Sequence, residues 1–308
     1  VIPTLTAVDK HQTEPDNPPL TIDKLVEQRF SALSPKLREA ARFVIDRPEE
    51  IAMNSMRTAA VRASVHPSTM LRLARELGFD SYEPFRDEFR TWLANRGAVS
   101  WAGRAETLRG QRTDSHKEHL IEKIVDQEVF NLRNTFEPRT ISKIVEARTL
   151  FGEARNVYVL GLRSLFPVAF YLNYVCRMFN DKTVLMMGVG GTFADELRTV
   201  DERDVMIVFS YRPYARDTLK AVKFARSCGT RIVAVTDSKV SPIATCADVA
   251  IPVLNTTPSL FPSIGPAFLV AQALVSLLVA ESGEDTMAKI ARSERQLTEF
   301  GVYVSDNE

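Results

Sequence analysis

From about residue 21 to residue 96 the apolar positions return every three or four residues, the spacing of helices that each bury one face. Ser34-Pro35 predicts a helix start, with the hydroxyl as cap and proline at the first helical position. Leu37, Ala40, Ala41, Val44 and Ile45 then form one apolar stripe. Asn54 or Ser55 is placed to cap a helix reaching Val61. A short break at residues 64–67 leads into a second helix over 67–77, which Gly78 ends. Met70, Leu73 and Leu77 share one side of that helix, leaving Ser68, Thr69, Arg72 and Arg75 for the other side or its flanks.

Residues 97–115 show no evident core pattern and read as a linker, after which helical spacing returns over 116–136 and 140–151. The pattern then changes. Runs rich in β-branched residues at 157–160, 184–187, 205–209, 232–235 and 249–254 are apolar almost throughout and are separated by helical segments. Strands apolar on both faces belong in a parallel sheet covered by helices, and the spacings suit right-handed crossovers. The predicted architecture is an α-helical helix-turn-helix domain followed by an α/β domain with a five-stranded parallel sheet flanked by helices. Its expected boundaries are a disordered tail at 1–20, marked by Pro3, Pro15, Pro18 and Pro19, the helical domain at 21–97, a linker at 98–118 and the α/β domain at 119–308.

Composition narrows the function. In 308 residues, 45% hydrophobic and 25% charged, there is enough apolar material for two folded domains. Basic and acidic residues balance at 39 each, so any attraction for nucleic acid has to be local. Three cysteines without close spacing, Cys176, Cys228 and Cys246, read as buried free thiols of a reducing compartment. The apolar window around 267–280 is shorter than the roughly 20 residues that span a bilayer. No membrane partner, metal or cofactor is expected, and the location is read as cytoplasmic.

The local charge lies in the helical domain. Residues 55–75 carry Arg57, Arg62, Arg72 and Arg75 and not one acid. The start of the second helix would enter a major groove, with Ser68, Thr69 and Arg72 reading bases and Arg57 and Arg75 gripping phosphate. His66, at the expected cap, is read either as a phosphate contact or as a plain turn residue.

In the α/β domain, chemistry belongs beyond the carboxyl ends of the strands, where loops open into helix N-termini. Those loops carry Arg163 and Ser164 after the first strand, Ser210, Tyr211, Arg212, Tyr214, Arg216 and Thr218 after the third, and Thr236 and Ser238 after the fourth. Guanidinium forks match carboxylate or phosphate, so an anionic ligand is expected. Phe261 and Ser263 are further candidates for the same cleft, with ordinary packing the competing role for the aromatics.

At this point the chain resembles the RpiR/MurR-type bacterial transcription regulators, which join a helix-turn-helix to a sugar isomerase (SIS) domain. The resemblance rests on Leu33-Ser34-Pro35, Arg38, Ala41, Ser68-Thr69, Arg72, Leu77-Gly78-Phe79 and Ser81-Tyr82. It continues in Gly161, Ser210, Thr236-Asp237-Ser238, Ser241-Pro242 and Ala247-Asp248. It implies a homodimer or homotetramer on palindromic operator DNA, with a phosphosugar-type carbohydrate derivative in the SIS cleft. The sequence departs from that pattern where a phosphate loop Ser-x-Ser-Gly-x-Thr is usual: Ser210 is kept, but Arg212, Pro213 and Ala215 stand at the second serine, glycine and threonine. The usual Gly-x-Gly-x-Ser turn has become Gly161-Leu162-Arg163-Ser164-Leu165. A carboxylate effector is therefore as open as a sugar phosphate.

An SIS-type sugar-phosphate isomerase or related enzyme is the alternative. It needs a general base, and no histidine lies beyond His119, while nothing marks Asp195, Glu196, Asp217 or Asp237 as one. Gly188-Val189-Gly190-Gly191 is a poor nucleotide loop, with Phe193 at its third glycine position, and no Gly-x-Ser-x-Gly elbow occurs. No catalytic residue is assigned, and the expectation is a regulator rather than an enzyme.

Overall fold

A computed structural model describes residues 22–94, 101–110 and 114–304. The chain divides into two compact units, residues 1–94 and 95–308.

The first unit is helical: α1 (Ile22–Arg29), α2 (Pro35–Asp46), α3 (Pro48–Met53), α4 (Met56–Arg62), α5 (Pro67–Glu76) and α6 (Tyr82–Ala94). The stripe Leu37, Ala40, Ala41, Val44 and Ile45 is buried, as are Met70, Leu73 and Leu77 on α5 and Phe85 and Phe89 on α6. Ser34 stands at the cap of α2 with Pro35 behind it, but its hydroxyl makes no capping bond. Ser55, rather than Asn54, caps α4, accepting the Thr58 N–H at 3.3 Å. The tail expected at 1–20 lies outside the described residues.

The second unit opens with α7 (Trp101–Gly110), α8 (Asp114–Thr135) and α9 (Pro138–Glu153). Helix α7 corrects the linker reading. Its Gly103 is buried and its Trp101 ring packs on Phe261, with centroids 4.4 Å apart, so this stretch is fastened to a distant loop.

The sheet comprises β1 (Val157–Gly161), β2 (Thr183–Leu185), β3 (Val205–Ser210), β4 (Arg231–Thr236) and β5 (Val249–Pro252), all parallel, in the order β2-β1-β3-β4-β5. Helices α10 (Phe166–Cys176), α11 (Arg216–Ser227), α12 (Gly265–Ala280) and α13 (Glu284–Glu299) complete the unit. Alternate strand residues serve opposite faces. Val157, Val159, Val205, Ile207, Phe209, Val233 and Val235 pack under α9, α10 and α12. Tyr158, Leu160, Met206, Val208, Ile232 and Ala234 pack under α11 and two short turns carrying Leu197 and Ile243. Of the cysteines, Cys176 is buried, whereas Cys228 and Cys246 are only partly covered, a correction to the buried-thiol reading.

Among the described residues no single helix is long and apolar enough to cross a membrane. Helix α12, the most apolar, has Ala267, Val270, Ala271 and Leu274 buried against the sheet.

Candidate functional site

The strand order reverses direction between β1 and β3, so the connection from β1 goes to one face of the sheet and that from β3 to the other. A crevice opens between them, the usual ligand position in an open α/β sheet. Here it is a cavity of about 1210 Å³, lined in part by Arg163, Ser164, Ser210, Arg212, Tyr214 and Arg216. Six of the ten residues expected to meet an effector thus come together. Lys220 brings the lining cations to four, against one carboxylate, Asp217, which lies 3.8 Å from Lys220.

The four remaining candidates are placed elsewhere. Thr236 is buried, its hydroxyl directed to Asp237 Oδ1 at 3.2 Å and Ser241 Oγ at 3.1 Å. Ser238 is buried and accepts the Val240 N–H at 3.2 Å. Thr218 is buried in the first turn of α11, and its hydroxyl has no hydrogen-bond partner among the described residues. Ser263 donates to Glu128 Oε2 at 2.5 Å and accepts the Gly265 N–H at 3.1 Å. Small hydroxyl residues near strand ends often serve the backbone instead of a ligand, and spacing does not separate the two roles.

Asp237 organises the cavity wall. Its Oδ2 accepts the Arg212 N–H at 3.0 Å and its Oδ1 accepts the Tyr214 hydroxyl at 2.9 Å. Burial, reinforced by the Asp237 charge, pushes the Tyr214 hydroxyl above its ordinary range, so it stays protonated and donates. Tyr211 is raised in the same direction, by burial first and then by Asp237 and Glu128. In the sequence Asp237 stands out only as part of the Thr236-Asp237-Ser238 motif and as an unmarked candidate base. Its position directly after the last residue of β4 was the available signal.

Gly161 ends β1 where the chain turns against α10. A Cβ there would stand 2.6 Å from the Leu165 carbonyl oxygen and 2.8 Å from Ala169 Cβ, so only glycine permits this approach. The next turn places Arg163 at φ 55°, and neither Arg163 nor Arg216 has an acidic partner among the described residues. The glycine-rich stretch after β2 is no anion cradle, because Glu196 already occupies it, accepting the Met187 and Gly188 N–H groups at 3.1 and 2.9 Å. Asp195 is likewise engaged, by Arg198.

In the helical unit, α4 and α5 are joined by a tight turn with Ser64 at φ 56°. His66 caps α5: its Nδ1 accepts the Ser68 N–H at 3.3 Å and lies 2.8 Å from Ser68 Oγ. Arg57, Ser68, Arg72 and Arg75 are exposed and Thr69 is half-buried. Arg72 has one weak neighbour, Glu76, at 3.9 Å, while Arg62 is drawn away from the group by an ion pair with Glu50. Arg57 and Arg75 have no acidic partner among the described residues.

Residues 150–278 match the family described as the SIS domain. The chain therefore carries a SIS domain, and the sheet and crevice above are its framework. The particular likeness is to RpiR-type transcription regulators. The sugar isomerase domain of an RpiR transcription factor from Sphaerobacter thermophilus is 25% identical, with 57% of this chain and 98% of that chain covered and a TM-score of 0.53. The Vibrio vulnificus NanR protein, solved with ManNAc-6P, shares the fold across 92% of this chain and 100% of its own, at 15% identity and a TM-score of 0.53. An uncharacterised HTH-type transcriptional regulator of Clostridium perfringens is 22% identical over 200 residues, covering 65% of this chain and 70% of its own length. A bifunctional protein glk of Burkholderia mallei is 24% identical over 228 residues, and the chain spans only about a third of that relative, 34%.

Proposed function

We propose that the protein is a bacterial-type transcription regulator whose grip on duplex DNA, through α4 and α5, is controlled by a small anionic metabolite, a sugar phosphate or a carboxylate, bound in the β1/β3 crevice. The observation that supports this reading is the presence in one chain of two surfaces on which arginines outnumber acids. One is exposed on a short helix pair of a size that fits a major groove, and the other is recessed at the switch point of a SIS sheet. The α5 start offers Ser68, Thr69 and Arg72 to base edges, while Arg57 and Arg75 meet phosphates and His66 sets the helix entry. A homodimer or homotetramer would present paired helices to a palindromic operator. The ligand acts by binding one arrangement of those pairs better than another, a coupling of about 1–3 kcal/mol in typical cases.

The isomerase alternative has less support. The cavity's one carboxylate, Asp217, sits beside Lys220, and no histidine lines the crevice among the described residues.

The test is binding to duplexes taken from the protein's own genomic neighbourhood, at modest salt, with and without anionic metabolites. Arg72→Ala is expected to weaken preference for the selected duplex sharply while the SIS unit stays folded. Arg212→Ala is expected to keep DNA binding and lose the metabolite response. Absence of preference for any such duplex by the wild-type protein would sink the regulator reading.

A further inference from the structure

The crevice is poor in the features that hold a phosphosugar and well supplied with those that hold a flat acid. A phosphate nest needs successive free backbone N–H groups. In the loop after β3 the Arg212 N–H is already committed to Asp237 Oδ2 at 3.0 Å, and Pro213 has none. Sugar hydroxyls donate as well as accept, so a sugar ring needs side chains with acceptor oxygens or nitrogens, which guanidinium groups lack. Among the described lining residues there is no Asn, Gln, Glu or His, and Asp217 is the one carboxylate.

What the lining offers instead is guanidinium and hydrocarbon. Arg163, Arg212 and Arg216 supply forked donors suited to a carboxylate. Facing the same space are the Trp101 and Phe261 rings, in contact at 4.4 Å yet 41% and 49% exposed. Such large aromatics are left partly in water at a cavity lip, where a ligand ring could cover them. The Arg104 guanidinium, 5.8 Å from the centroid of the Trp101 ring and 3.5 Å from the Ser259 carbonyl oxygen, braces that ring. The cavity, at about 1210 Å³, has ample room for a ring and its side chain.

We propose that the ligand is an aryl carboxylate, its carboxylate held by the Arg163, Arg212 and Arg216 guanidiniums and its ring seated on Trp101 and Phe261. This rests on the sensing reading above and narrows it to one chemical class. A carboxylate on a flat apolar body satisfies both halves of the lining.

Titration calorimetry on the full chain tests this with benzoate, phenylacetate, acetate, glucose 6-phosphate and inorganic phosphate as probes. An aryl acid is expected to bind at least tenfold tighter than acetate or glucose 6-phosphate. Trp101→Ala is expected to lose at least tenfold for that acid, and Phe261→Leu several-fold, with a cooperative melting transition kept in both. Arg216→Ala is expected to weaken every anion alike. If glucose 6-phosphate binds tighter than either aryl acid and loses affinity in Arg216→Ala, the aryl class is overturned while the sensing reading stands. If none of the probes binds, both are overturned.

Discussion

The Tyr214 hydroxyl donates to one oxygen of Asp237 at 2.9 Å while the other oxygen accepts the Arg212 N–H at 3.0 Å. A single carboxylate at the end of β4 therefore shapes the loop leaving β3. Asp237→Ala removes both acceptors and strands a half-buried tyrosine hydroxyl and an amide. The expected cost is about 1–3 kcal/mol, read as a lower melting temperature, together with a weakened ligand response. An unchanged melting temperature would mean that the loop holds its shape without the carboxylate.

Gly161→Ala drives a methyl group into the Leu165 carbonyl and Ala169, at 2.6 and 2.8 Å. Because both neighbours belong to the packed β1–α10 junction, the strain is expected to cost about 1–3 kcal/mol in chemical denaturation. Arg163 and Ser164 follow two and three residues later, so anion binding is expected to fall with it.

Acid should weaken the second unit through Arg155 and Asp204. The guanidinium makes two bonds to the fully buried carboxylate, at 3.0 and 2.6 Å. Burial alone would raise the Asp204 pKa, but Arg155 and the Asp201 and Asn156 N–H groups outweigh it and bring it below the ordinary value. Its neighbour Asp201, bonded by Arg203, is lowered to about 2. A depressed folded-state value means stability that is complete above the unfolded carboxyl value of about 4 and is lost as pH falls through the folded one. Melting temperature is expected to drop between about pH 4 and 2, and Asp204→Asn to flatten that slope.

Arg75→Ala should change DNA binding without changing what is read. Losing one phosphate contact is expected to reduce the slope of log affinity against log salt by about 1, with sequence preference kept. Arg72→Ala, by contrast, is expected to cost about 1–3 kcal/mol of discrimination between duplexes. Equal losses on all duplexes for Arg72→Ala would move that side chain from base to backbone.

Most of the strand framework was legible because the central strands β1, β3 and β4 are covered on both faces and so carry unbroken apolar runs. The short edge strand was the exception: the run at 184–187 led past its end, since Met186 is buried for packing although the ladder stops at Leu185. The last strand stops at Pro252, two residues before the apolar run does. The arginines of the crevice were readable from their places after β1 and β3. Thr218, Thr236, Ser238 and Ser263 were not separable from them, because a hydroxyl buried in the fold or bonded within it has the same sequence signature as one that meets a ligand. Trp101 was missed because residues 97–115 lack a continuous stripe, although Trp101, Ala105 and Leu108 do recur at helical spacing. What fastens Trp101 is Phe261, a contact between positions 160 residues apart that no local pattern encodes.

The order of the sheet has a mechanical corollary. The loop after β1 runs into α10, packed on one side of the strands, and the loop after β3 runs into α11, packed on the other. A guest bridging Arg163 and Arg216 would rivet the two layers across the edge of the sheet.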